Sequence, residues 1–589
     1  MVPEKLITEH LDLWTAAFKR KPTGGRGSSS KNELYGIKKL RELILELAVR
    51  GLLVPQDPND EPASELLRRI AAEKAKLAKE GKIKKEKTLS PVGKEEKSFD
   101  VPAGWEWSRL QVVSEYIQRG KGPIYAESGR VRVVSQKCIQ WRGFDLAASR
   151  YIDDASLIDY KEERFLKNQD LLWNSTGTGT VGRANVLDEI PERTLVADSH
   201  VTVVRTLNVN ARYFCIYLRS PGVQARIEPT HEASLVSGST QQVELNTSAV
   251  VALPVPVPPQ DEQHRIVAKV DELMTLCDQL EQQTDINLRA HQTLVETFLN
   301  ALSGAADYAQ FASGWQRIAE LFDTLFTTEE SVDQLKQTIL QLAVMGKLVP
   351  QDPNDESASE LLKKIAAEKA NLVKEGKNKK EKLLPIIKEE EKPFAVPEGW
   401  CWARLGQLGI CSTGKTPSTK QPTFFDGDIP FIGPGQISPT GELLYSEKFV
   451  SEEGLCESME AMAGDLLMVC IGGSIGKAVI ADKRLAFNQQ INSIRPISVS
   501  SKYLFFAVST DTFYKAVIRQ SSGSATPIIN RSKWEELLVP VCPEHEQRRI
   551  IAKVDELTVL CDQLKNLLIA TKATQVDIAD SIKIPEFNL

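Results

Sequence analysis

Two stretches of the chain carry apolar residues at heptad-like spacing, and this pattern predicts two long helices. The first stripe consists of Ile266, Val270, Leu273, Cys277, Leu280, Leu294 and Phe298. The second stripe consists of Ile550, Val554, Leu557, Cys561, Leu564 and Leu568. Residues at this spacing lie on one face of an α-helix, where they pack against a partner helix. A helix of about 40 residues is roughly 60 Å long, which is enough to hold two domains apart. In the alternative interpretation, each stripe packs only on its own domain.

The segments that precede these helices contain short runs rich in β-branched residues or with alternating apolar and polar side chains, which is typical of β-strands. Such runs are VRVVSQKCIQW at 131–141, LVADSHVTVVRT at 195–206, DIPFIG at 428–433 and NQQINSIRP at 488–496. They are bounded by Gly, Pro and Asn, which favour turns. We therefore predict mixed α/β domains with short strands in these segments.

The chain contains an internal repeat, which organises the prediction of its domains. Residues 55–87 recur at 350–382 with identity at 27 of 33 positions and an offset of 295. A second pair, residues 257–280 and 541–564, is related by an offset of 284. Two dissimilar segments lie between these constant frames, and they share landmarks such as VPAGWEW and VPEGWCW at their entrances. The order is therefore constant, variable, constant, variable, constant.

The repeat predicts five regions in a circular order. The regions are an N-terminal helical region at 1–100, a first variable domain at 101–258, a central helical region at 259–395, a second variable domain at 396–543 and a C-terminal helix at 544–589. The central region supplies a helix and then a PQDPND block, whereas the N-terminus supplies only the block and the C-terminus only the helix. Joined in space, the two ends would rebuild the middle. We therefore predict an α+β fold in which long paired, coiled-coil-like helices separate two α/β domains, with a pseudo-twofold axis relating the halves.

The composition describes a chain with several hydrophobic cores and limits the classes of function. At 589 residues the chain is too long for one core, and 42% of its residues are apolar. The N-terminus has no apolar h-region, no stretch approaches about 18 apolar residues, and the 9 Cys form no CxxC pair. We expect a cytoplasmic protein in which Cys277 and Cys561 are small core residues. The net charge of −6 means that any DNA-binding surface must be a local patch.

Two glycine motifs imitate nucleotide-binding loops. Residues 409–416, GICSTGKT, match the Walker A pattern, but Pro417 and Pro422 follow where a P-loop needs a helix. Residues 177–182, GTGTVG, imitate a dinucleotide fingerprint, but their counterpart at 472–477 has lost the spacing. We interpret the second motif as a glycine-rich hairpin near DNA phosphates, with Arg183 and Lys477 as matched cations. No catalytic or metal-binding constellation is recognisable in the sequence.

Several of these motifs together resemble the specificity subunits of type I restriction-modification systems. The resemblance is carried by the two VPxGWxW entrances, the GDLL and GxxGK stretch at 464–477, NQQIN at 488–492 and the exit signature PxPPxxEQxRIVAKVDEL. The block LYGIKKLRELILELAVRG at 34–51, followed by LVPQDPND, is similar to the type IB branch. The resemblance covers nearly the whole chain.

The resemblance implies that each variable segment is a target recognition domain that reads one half of an asymmetric, bipartite DNA site. It also implies that the helices fix the spacer and that this chain has no active site or cofactor of its own. Two modification subunits would bring S-adenosylmethionine for methylation of adenine N6. Restriction subunits would bring an ATP-driven translocase and a nuclease, with Mg. The implied partners are double-stranded DNA and these two kinds of subunit, with no membrane.

Polar residues in the two variable segments are candidates for contact with DNA. Amide, hydroxyl and Arg or Lys side chains distinguish bases, while cations and glycine-rich backbone hold phosphates. The candidates in the first domain are Lys121, Ser135, Gln136, Lys137, Asn174, Arg183, His200 and Gln241. The candidates in the second domain are Lys415, Lys420, Gln436, Lys477, Gln489, Gln490, Asn492 and Thr526. The alignment sets residues 198–201 of the first domain against residues 489–492 of the second, so the first domain departs from the common pattern.

Two alternative functions stay open at the level of sequence. The chain would be a P-loop nucleotide-binding enzyme if the 409–416 motif bound ATP, and ATP crosslinking to the isolated chain tests this. It would be a duplicated coiled-coil adaptor if the variable domains bound no DNA, and a gel shift with its partners present tests that.

Overall fold

The structure is a computed structural model that describes residues 7, 10–21, 31–177, 179–239, 242–305, 308–376, 383–523 and 526–582. The chain divides into two compact units. Unit 1 contains the described residues of 7–21, 31–286 and 572–582, and unit 2 contains those of 287–571. Each unit therefore combines a helical block, an α/β domain and parts of two long helices.

Unit 1 begins with helices and continues into strands. Its helices are α1 (Leu11–Ala16), α2 (Tyr35–Val49), α3 (Ala63–Lys79), α4 (Ala211–Arg219), α5 (Pro221–Ala225) and α6 (Thr247–Ala252). Its strands are β1 (Lys19–Lys21), β2 (Lys31–Glu33), β3 (Glu106–Arg109), β4 (Ser114–Arg119), β5 (Tyr125–Ala126), β6 (Arg132–Val134), β7 (Ile139–Gln140), β8 (Gly143–Phe144), β9 (Arg150–Ile152), β10 (Asp170–Asn174), β11 (Ala184–Val186), β12 (Leu195–Ala197), β13 (Val201–Thr206), β14 (Val236–Ser239), β15 (Gln242–Leu245) and β16 (Pro254–Val257). The long helix α7 (Gln260–Ser303) begins in unit 1 and ends in unit 2.

Unit 2 has a similar but not identical order of elements. Its helices are α8 (Tyr308–Glu320), α9 (Phe322–Leu325), α10 (Glu329–Val344), α11 (Ala358–Lys374), α12 (Glu452–Cys456), α13 (Ser501–Val508), α14 (Asp511–Gln520) and α15 (Arg531–Glu535). Its strands are β17 (Cys401–Arg404), β18 (Gly409–Thr413), β19 (Ile429–Ile432), β20 (Phe449–Val450), β21 (Glu460–Ala461), β22 (Leu466–Val469), β23 (Ala478–Ile480), β24 (Leu485–Phe487), β25 (Ile491–Pro496) and β26 (Leu538–Val541). The long helix α16 (Glu544–Ser581) begins in unit 2 and ends in unit 1.

The α/β domains of the two units have antiparallel sheets of the same topology. In unit 1 four antiparallel strands are ordered β11-β10-β13-β4, and in unit 2 the equivalent order is β23-β22-β25-β18. A second sheet in each unit contains one parallel pair, β12 with β6 and β24 with β19. The central strands β10 and β22 are buried along their whole length, which explains their continuous apolar runs. The prediction of mixed α/β domains is confirmed.

Each α/β domain is closed by a strand pair that joins its beginning to its end. β3 pairs with β16 in antiparallel register, with Ser108 opposite Val255. β17 pairs with β26 in the same way, with Ala403 opposite Val539. The chain therefore enters and leaves each domain at neighbouring positions, and a long helix starts directly after the second strand of each pair.

A buried hydrogen-bonded cluster fixes the base of each domain to its long helix. The indole Nε1 of Trp105 donates to Oε2 of Glu262 at 2.9 Å, and Nε2 of Gln56 donates to Oε1 of the same carboxylate at 2.6 Å. Burial raises the pKa of Glu262. The equivalent cluster of unit 2 consists of Trp400, Gln351 and Glu546. The three repeated motifs PQDPND, GWxW and EQxRI therefore meet at one point in each unit.

The apolar stripe of α7 packs inside unit 1. Ile266, Val270 and Leu273 are buried in the same core as Leu40 and Ile44 of α2. The corresponding stripe of α16 lies in the core of unit 2 together with residues of α10. Each stripe thus packs against a helix of its own unit, as the first interpretation of the pattern predicts.

The extension of the first stripe toward the end of α7 was wrong by one position. Leu294 is 41% exposed and Phe298 is only partly buried. The buried residues at this end are Val295, Leu299 and Leu302. Cys277 and Val295 are 18 residues apart (295 − 277), which is five turns at 3.6 residues per turn. The heptad extrapolation assumed 3.5 residues per turn, and over this distance it drifts off the buried face.

The two ends of the described chain meet in unit 1. The hydroxyl of Tyr35 in α2 donates to Oδ1 of Asp580 in α16 at 2.6 Å. Ala579 is buried in the core that contains Leu40 of α2. In unit 2 the end of α7 lies in the core beside α10. The circular order predicted from the repeat is confirmed, and Cys277 and Cys561 are buried core residues as predicted.

Candidate nucleic-acid interface

Four loops and a hairpin come together at one end of the α/β domain in unit 1. The loops follow β4, β6, β10 and β12, and the hairpin is formed by β14 and β15. The backbone N–H of Ser175 donates to the carbonyl of His200 at 2.8 Å. The backbone N–H of Lys121 donates to the carbonyl of Ala197, at the end of β12, at 3.1 Å. The N–H of Gly177 donates to the carbonyl of Val243 at 3.4 Å, which attaches the hairpin. These segments therefore lie side by side at this end of the domain.

The glycine motif of the first domain forms a tight loop between two strands. Gly177, Gly179 and Gly182 have φ angles of +100°, +78° and +89°, a left-handed conformation that favours glycine. The indole Nε1 of Trp173 anchors the loop from inside by donating to the carbonyl of Gly182 at 3.0 Å. The strand β11 follows the loop, where a dinucleotide fingerprint needs a helix. The hairpin is confirmed by the pairing of β10 with β11, and its position near DNA phosphates stays a prediction.

The Walker A-like stretch does not have the geometry of a phosphate loop. Gly409–Thr413 is the strand β18, which pairs along its length with β25. The following residues 414–421 are not helical, and they lead into a short 3-10 turn at Pro422–Phe425. A P-loop presents backbone amides at the first turn of a helix, and this stretch lacks that turn.

His200 and Gln136 of the first domain each contact a threonine of the glycine loop. Nδ1 of His200 lies 2.5 Å from Oγ1 of Thr176, and the side chain of His200 is exposed. Oγ1 of Thr180 donates to Oε1 of Gln136 at 3.2 Å. A histidine held through Nδ1 keeps Nε2 for a ligand, and base edges in the major groove offer both donors and acceptors.

The cations of the first domain differ in how far protein groups already use their charge. Arg183 donates from Nη1 to Oε1 of Gln140 at 2.5 Å and from Nη2 to a carbonyl of the glycine loop at 2.6 Å. Nζ of Lys121 lies 3.3 Å from Asp159. Lys137 is exposed on the turn after β6. Of these three cations, Lys137 alone is exposed, and Arg183 holds the loop.

Two further candidates of the first domain, Asn174 and Ser135, make hydrogen bonds within the domain. Asn174 is fully buried, and its Nδ2 donates to the carbonyl of Gln136 at 3.1 Å and to strand β7 at 3.4 Å. Oγ of Ser135 accepts from the N–H of Lys137 at 3.4 Å. Both side chains hold the turn after β6, and Asn174 has no exposed surface for a base. Gln241 lies outside the described residues.

The second domain builds the same surface on its own loops. The N–H of Cys470 donates to the carbonyl of Gln490 at 2.8 Å, as Ser175 does to His200 in the first domain. The N–H of Gly472 donates to the carbonyl of Pro527 at 2.9 Å. This contact corresponds to the attachment of the β14–β15 hairpin in the first domain. Lys415 is exposed, and its Nζ lies 2.8 Å from Oε2 of Glu457. Both domains therefore assemble equivalent loops by equivalent backbone contacts.

Amide side chains surround the second surface. Oγ1 of Thr416 donates to Oε1 of Gln489 at 2.5 Å, and Gln489 is exposed. Because Gln489 accepts through its oxygen, its NH₂ group can donate to a base acceptor. Nδ2 of Asn488 donates to Oε1 of Gln490 at 3.2 Å, and Gln490 is half-buried.

The other candidates of the second domain divide into exposed and internal residues. Lys420 and Thr526 are exposed. Gln436 accepts from a backbone N–H of its own turn at 3.0 Å, and Nζ of Lys477 donates to a backbone carbonyl at 3.3 Å. Asn492 is 2% exposed and accepts from a threonine hydroxyl of β18 at 2.8 Å. These last three stabilise loop conformations, and Asn492 has almost no surface for a base.

The structure corrects the sequence alignment of the two domains by one residue. The N–H of His200 donates to Oδ1 of Asp198 at 2.7 Å, and the N–H of Gln490 donates to Oδ1 of Asn488 at 3.0 Å. The two turns are the same, so His200 corresponds to Gln490 and Asp198 to Asn488. The alignment had set Asp198 against the next residue of the second domain and was wrong.

The error had a recognisable physical signal. A shift of one residue exchanges the two faces of a strand. The alignment had set Val201 against Asn492. In the structure the position equivalent to Val201 is Ile491, and both of these apolar side chains are fully buried. Matching the buried apolar position first gives the register of the structure.

Sequence reasoning missed an ion pair that fixes the central strands of each domain. Nε and Nη2 of Arg205 donate to the two oxygens of Asp170, both at 2.7 Å. Arg495 and Asp465 form the same pair in unit 2, at 2.9 and 2.8 Å. A signal was present, because Asp-Leu-Leu stands at this position in both domains and an Arg stands late in both partner strands. A bidentate pair of this kind holds the register of the strands that carry the loops.

Within the described part of the chain, no group of three or more His, Cys, Asp and Glu side chains is arranged to hold a metal ion. None of its helices combines the length and the apolar character that crossing a membrane requires.

Comparison with known proteins agrees with these features. The family described as Type I restriction modification DNA specificity domain matches residues 102–290 and 397–571. The Type I restriction enzyme EcoAI specificity subunit of Escherichia coli is 40% identical over 599 residues, which cover 99% of each chain. The EcoEI specificity subunit of the same organism is 39% identical over 598 residues, again covering 99% of each chain. Among solved structures, the HsdS subunit from Thermoanaerobacter tengcongensis aligns with 83% of this chain and 97% of its own, at 17% identity and a TM-score of 0.41.

Proposed function

Because the chain belongs to the DNA specificity subunits of type I restriction-modification systems, we propose that its two loop surfaces read the two halves of an asymmetric, bipartite DNA site. The observation that carries this proposal is the pair His200 and Gln490, which occupy the same turn beside antiparallel sheets of the same strand order. An imidazole and a carboxamide offer different hydrogen-bonding groups to a base edge. Two domains that present different side chains from the same turn can read two different half-sites.

Each surface combines groups for bases with groups for phosphates. Exposed imidazole and amide groups such as His200 and Gln489 are assigned to base edges, since these groups discriminate bases. Exposed lysines and the glycine-loop backbone are assigned to phosphates, which position the duplex without reading it. The exposed lysines are Lys137, Lys415 and Lys420, and the half-buried Lys121 is assigned with them. Asn174 and Asn492 act by shaping the loops.

We assign DNA reading to residues 101–258 and 396–543, and the frame that carries them to residues 1–100, 259–395 and 544–589. The strand pairs β3–β16 and β17–β26 support these limits because they mark where the chain enters and leaves each domain. The long helices α7 and α16 set the spacer between the half-sites.

The chemistry of the system is assigned to other subunits. The relatives are named specificity subunits of type I restriction enzymes, and this chain likewise assembles with two modification subunits and with restriction subunits in the cytoplasm. S-adenosylmethionine, ATP and Mg bind to those partners, and adenine N6 is methylated there. The specificity chain binds no cofactor and catalyses no reaction.

Methylation mapping tests the proposal. When a host expresses the chain with its modification subunits, sequencing for N6-methyladenine should give one bipartite motif with a fixed spacer. His200→Ala should relax base preference in one half only, and Gln490→Ala in the other half only. Glu192→Ala is the control, because Glu192 is exposed on the loop at the opposite end of β12. Absence of a motif, or a change in both halves from one substitution, contradicts the proposal.

A further inference from the structure

A short β-hairpin beside the loops of the first domain carries an exposed tryptophan at its tip. The hairpin consists of β7 and β8, and Trp141 and Arg142 connect the two strands. Trp141 is 44% exposed, and the side chain of Arg142 is 91% exposed. Exposure of single apolar side chains is common, so the way in which this indole is mounted distinguishes it.

The hairpin is fastened to the interior of the domain and to the glycine loop. The buried Asn185 donates from Nδ2 to the carbonyl of Gln140 at 2.8 Å and to that of Gly143 at 3.4 Å. The side-chain oxygen of Gln140 accepts from Arg183 at 2.5 Å, and Arg183 also donates to the glycine loop. The hairpin therefore holds its tip in a fixed position next to the loops that we assign to DNA.

Two arginines flank the indole. The guanidinium of Arg219 lies 5.9 Å from the centre of the Trp141 ring, and Arg219 also donates to the Trp141 carbonyl. Arg142 lies 3.5 Å from Glu281, which Arg41 contacts at 2.8 Å. Because Arg41 pairs with Glu281, Arg142 can turn toward another anion without leaving that carboxylate unpaired. An aromatic face between cations suits nucleic acid, since bases stack on the ring and phosphates pair with the cations.

The second domain has an equivalent hairpin with a different tip. Ile437 bridges Leu443 at its base, as Ile139 pairs with Phe144 in the first domain. The connection in the second domain has the sequence SPTGE at 438–442, with no aromatic residue. The exposed indole therefore belongs to one half-site only, and the second hairpin supplies an internal control.

Resting on the proposed function, we propose that Trp141 stacks into a base step at the edge of the half-site read by the first domain, while Arg142 binds the neighbouring phosphate. Duplex DNA is the occupant because Arg183 ties the hairpin to the glycine loop and because the tip carries a cation and no carboxylate. An aromatic side chain inserted in this way unstacks the base step and bends the duplex. Flexible pyrimidine–purine steps deform most easily, so we expect one of them at this edge.

The test uses the full chain in complex with its modification subunits and a duplex that carries the motif found by methylation mapping. Trp141→Ala should weaken binding on the order of 10-fold, the loss expected for one base–aromatic stack, while Trp141→Phe should keep most of the affinity. Arg142→Ala should lower the slope of log affinity against log salt by about one. Thr440→Ala at the tip of the second hairpin is the matched control and should change neither quantity.

A fluorescent base separates insertion from surface contact. 2-Aminopurine placed at the steps that flank the first half-site should brighten when the wild-type complex binds, because unstacking relieves its quenching. The Trp141→Ala complex should give no such signal. Equal affinity and equal fluorescence for the two complexes overturn the inference, and so does failure of Trp141→Ala to assemble in size-exclusion chromatography, since the tip would then face a protein subunit. A wild-type complex without specific binding overturns the proposed function itself.

Discussion

The hydroxyl of Tyr35 donates a hydrogen bond of 2.6 Å to Oδ1 of Asp580, a residue 545 positions later in the chain. The side-chain nitrogens of Lys19 and Lys39 lie 3.6 and 3.8 Å from the same carboxylate. The hydrogen bond from Tyr35, together with the two lysines, lowers the pKa of Asp580. Unit 1 thus includes the last turn of α16.

A fragment of residues 1–304 is expected to form a twofold dimer. It lacks Ala579, which unit 1 buries, but it contains Val295, which is the equivalent residue of the repeat (579 − 284 = 295). The end of α7 from one copy can therefore take the place of α16 in the other. With modification subunits present, the dimer should methylate an inverted repeat of the first half-site, because twofold symmetry requires a palindromic target. Sedimentation and methylation mapping measure both effects.

A fragment that stays monomeric at micromolar concentration, or that methylates the original asymmetric site, contradicts the circular repeat. The segment that seeks a partner is the end of α7. The stripe at 266–280 does not take this role, because Ile266, Val270 and Leu273 are already buried in the core of unit 1.

Exchange of residues 101–258 for the equivalent segment of a relative is expected to change one half of the methylated site. The segment is closed by its own strand pair, β3 with β16, so the exchange leaves the frame intact. The other half-site and the spacer should persist. Methylation mapping of the chimera measures this, and exchange of 396–543 is the reciprocal control. Simultaneous change of both halves would show that the domains do not read independently.

Four residues inserted after Ile286 in α7 and four after Ala570 in α16 are expected to lengthen the spacer. These positions are equivalent in the repeat (570 − 286 = 284), and each helix contains residues of both units. Four residues add about 6 Å to a helix, which is about 2 base pairs at 3.4 Å per step. The half-sites should persist while the methylated motif gains one or two spacer pairs. Full methylation with the original spacer means that these helices are not the ruler.

Trp105→Phe is expected to destabilise the protein more at pH 8 than at pH 5. Burial raises the pKa of Glu262, and the hydrogen bond from Trp105 opposes that rise. Without the indole N–H, the folded-state pKa rises further. A carboxyl whose folded pKa is raised contributes stability that is present at low pH and is lost as pH rises through that pKa. At pH 8 the substitution should lower the free energy of unfolding by about 1–3 kcal/mol. This loss should become smaller as the pH falls toward the pKa of an unfolded Glu, about 4.3.

Denaturant unfolding of wild type and variant across this pH range measures the effect. Trp400→Phe is the matched variant, since Trp400 donates to Glu546 at 2.8 Å in unit 2. Combining Trp105→Phe with Glu262→Gln should remove the pH dependence. If the substitution lowers the free energy of unfolding equally at both pH values, the indole acts through packing alone.

The sequence predicted most of the fold because its repeat is so close. Near-identical stretches must fold alike, so the circular order and the two α/β domains followed from spacing. Contacts between distant residues were missed, as with Arg205 and Asp170, because no periodicity connects them. The end of α7 was misplaced because a heptad pattern assumes a supercoil that the buried positions do not follow.

The candidate site was predicted less well than the fold. Asn174 and Asn492 are polar residues beside loops, yet both are buried, because an amide satisfies a turn as readily as a base. The grouping of the loops was predictable from the repeat, which placed glycines and cations at matching positions. The assignment of individual base contacts stays a prediction, since residue type alone does not separate these two uses of an amide.

The repeat of residues 55–87 at 350–382 also has a consequence for the gene. Its two coding tracts specify the same residue at 27 of 33 positions, so an in-frame deletion between them would join equivalent parts of the two halves. A crossover in register deletes 295 codons and leaves a chain of 294 residues (589 − 295). That chain keeps one helical block, the second α/β domain and α16, which are the parts that unit 2 combines with the end of α7. One deletion thus turns a reader of two different half-sites into a chain that must pair with its own copy and read the same half twice.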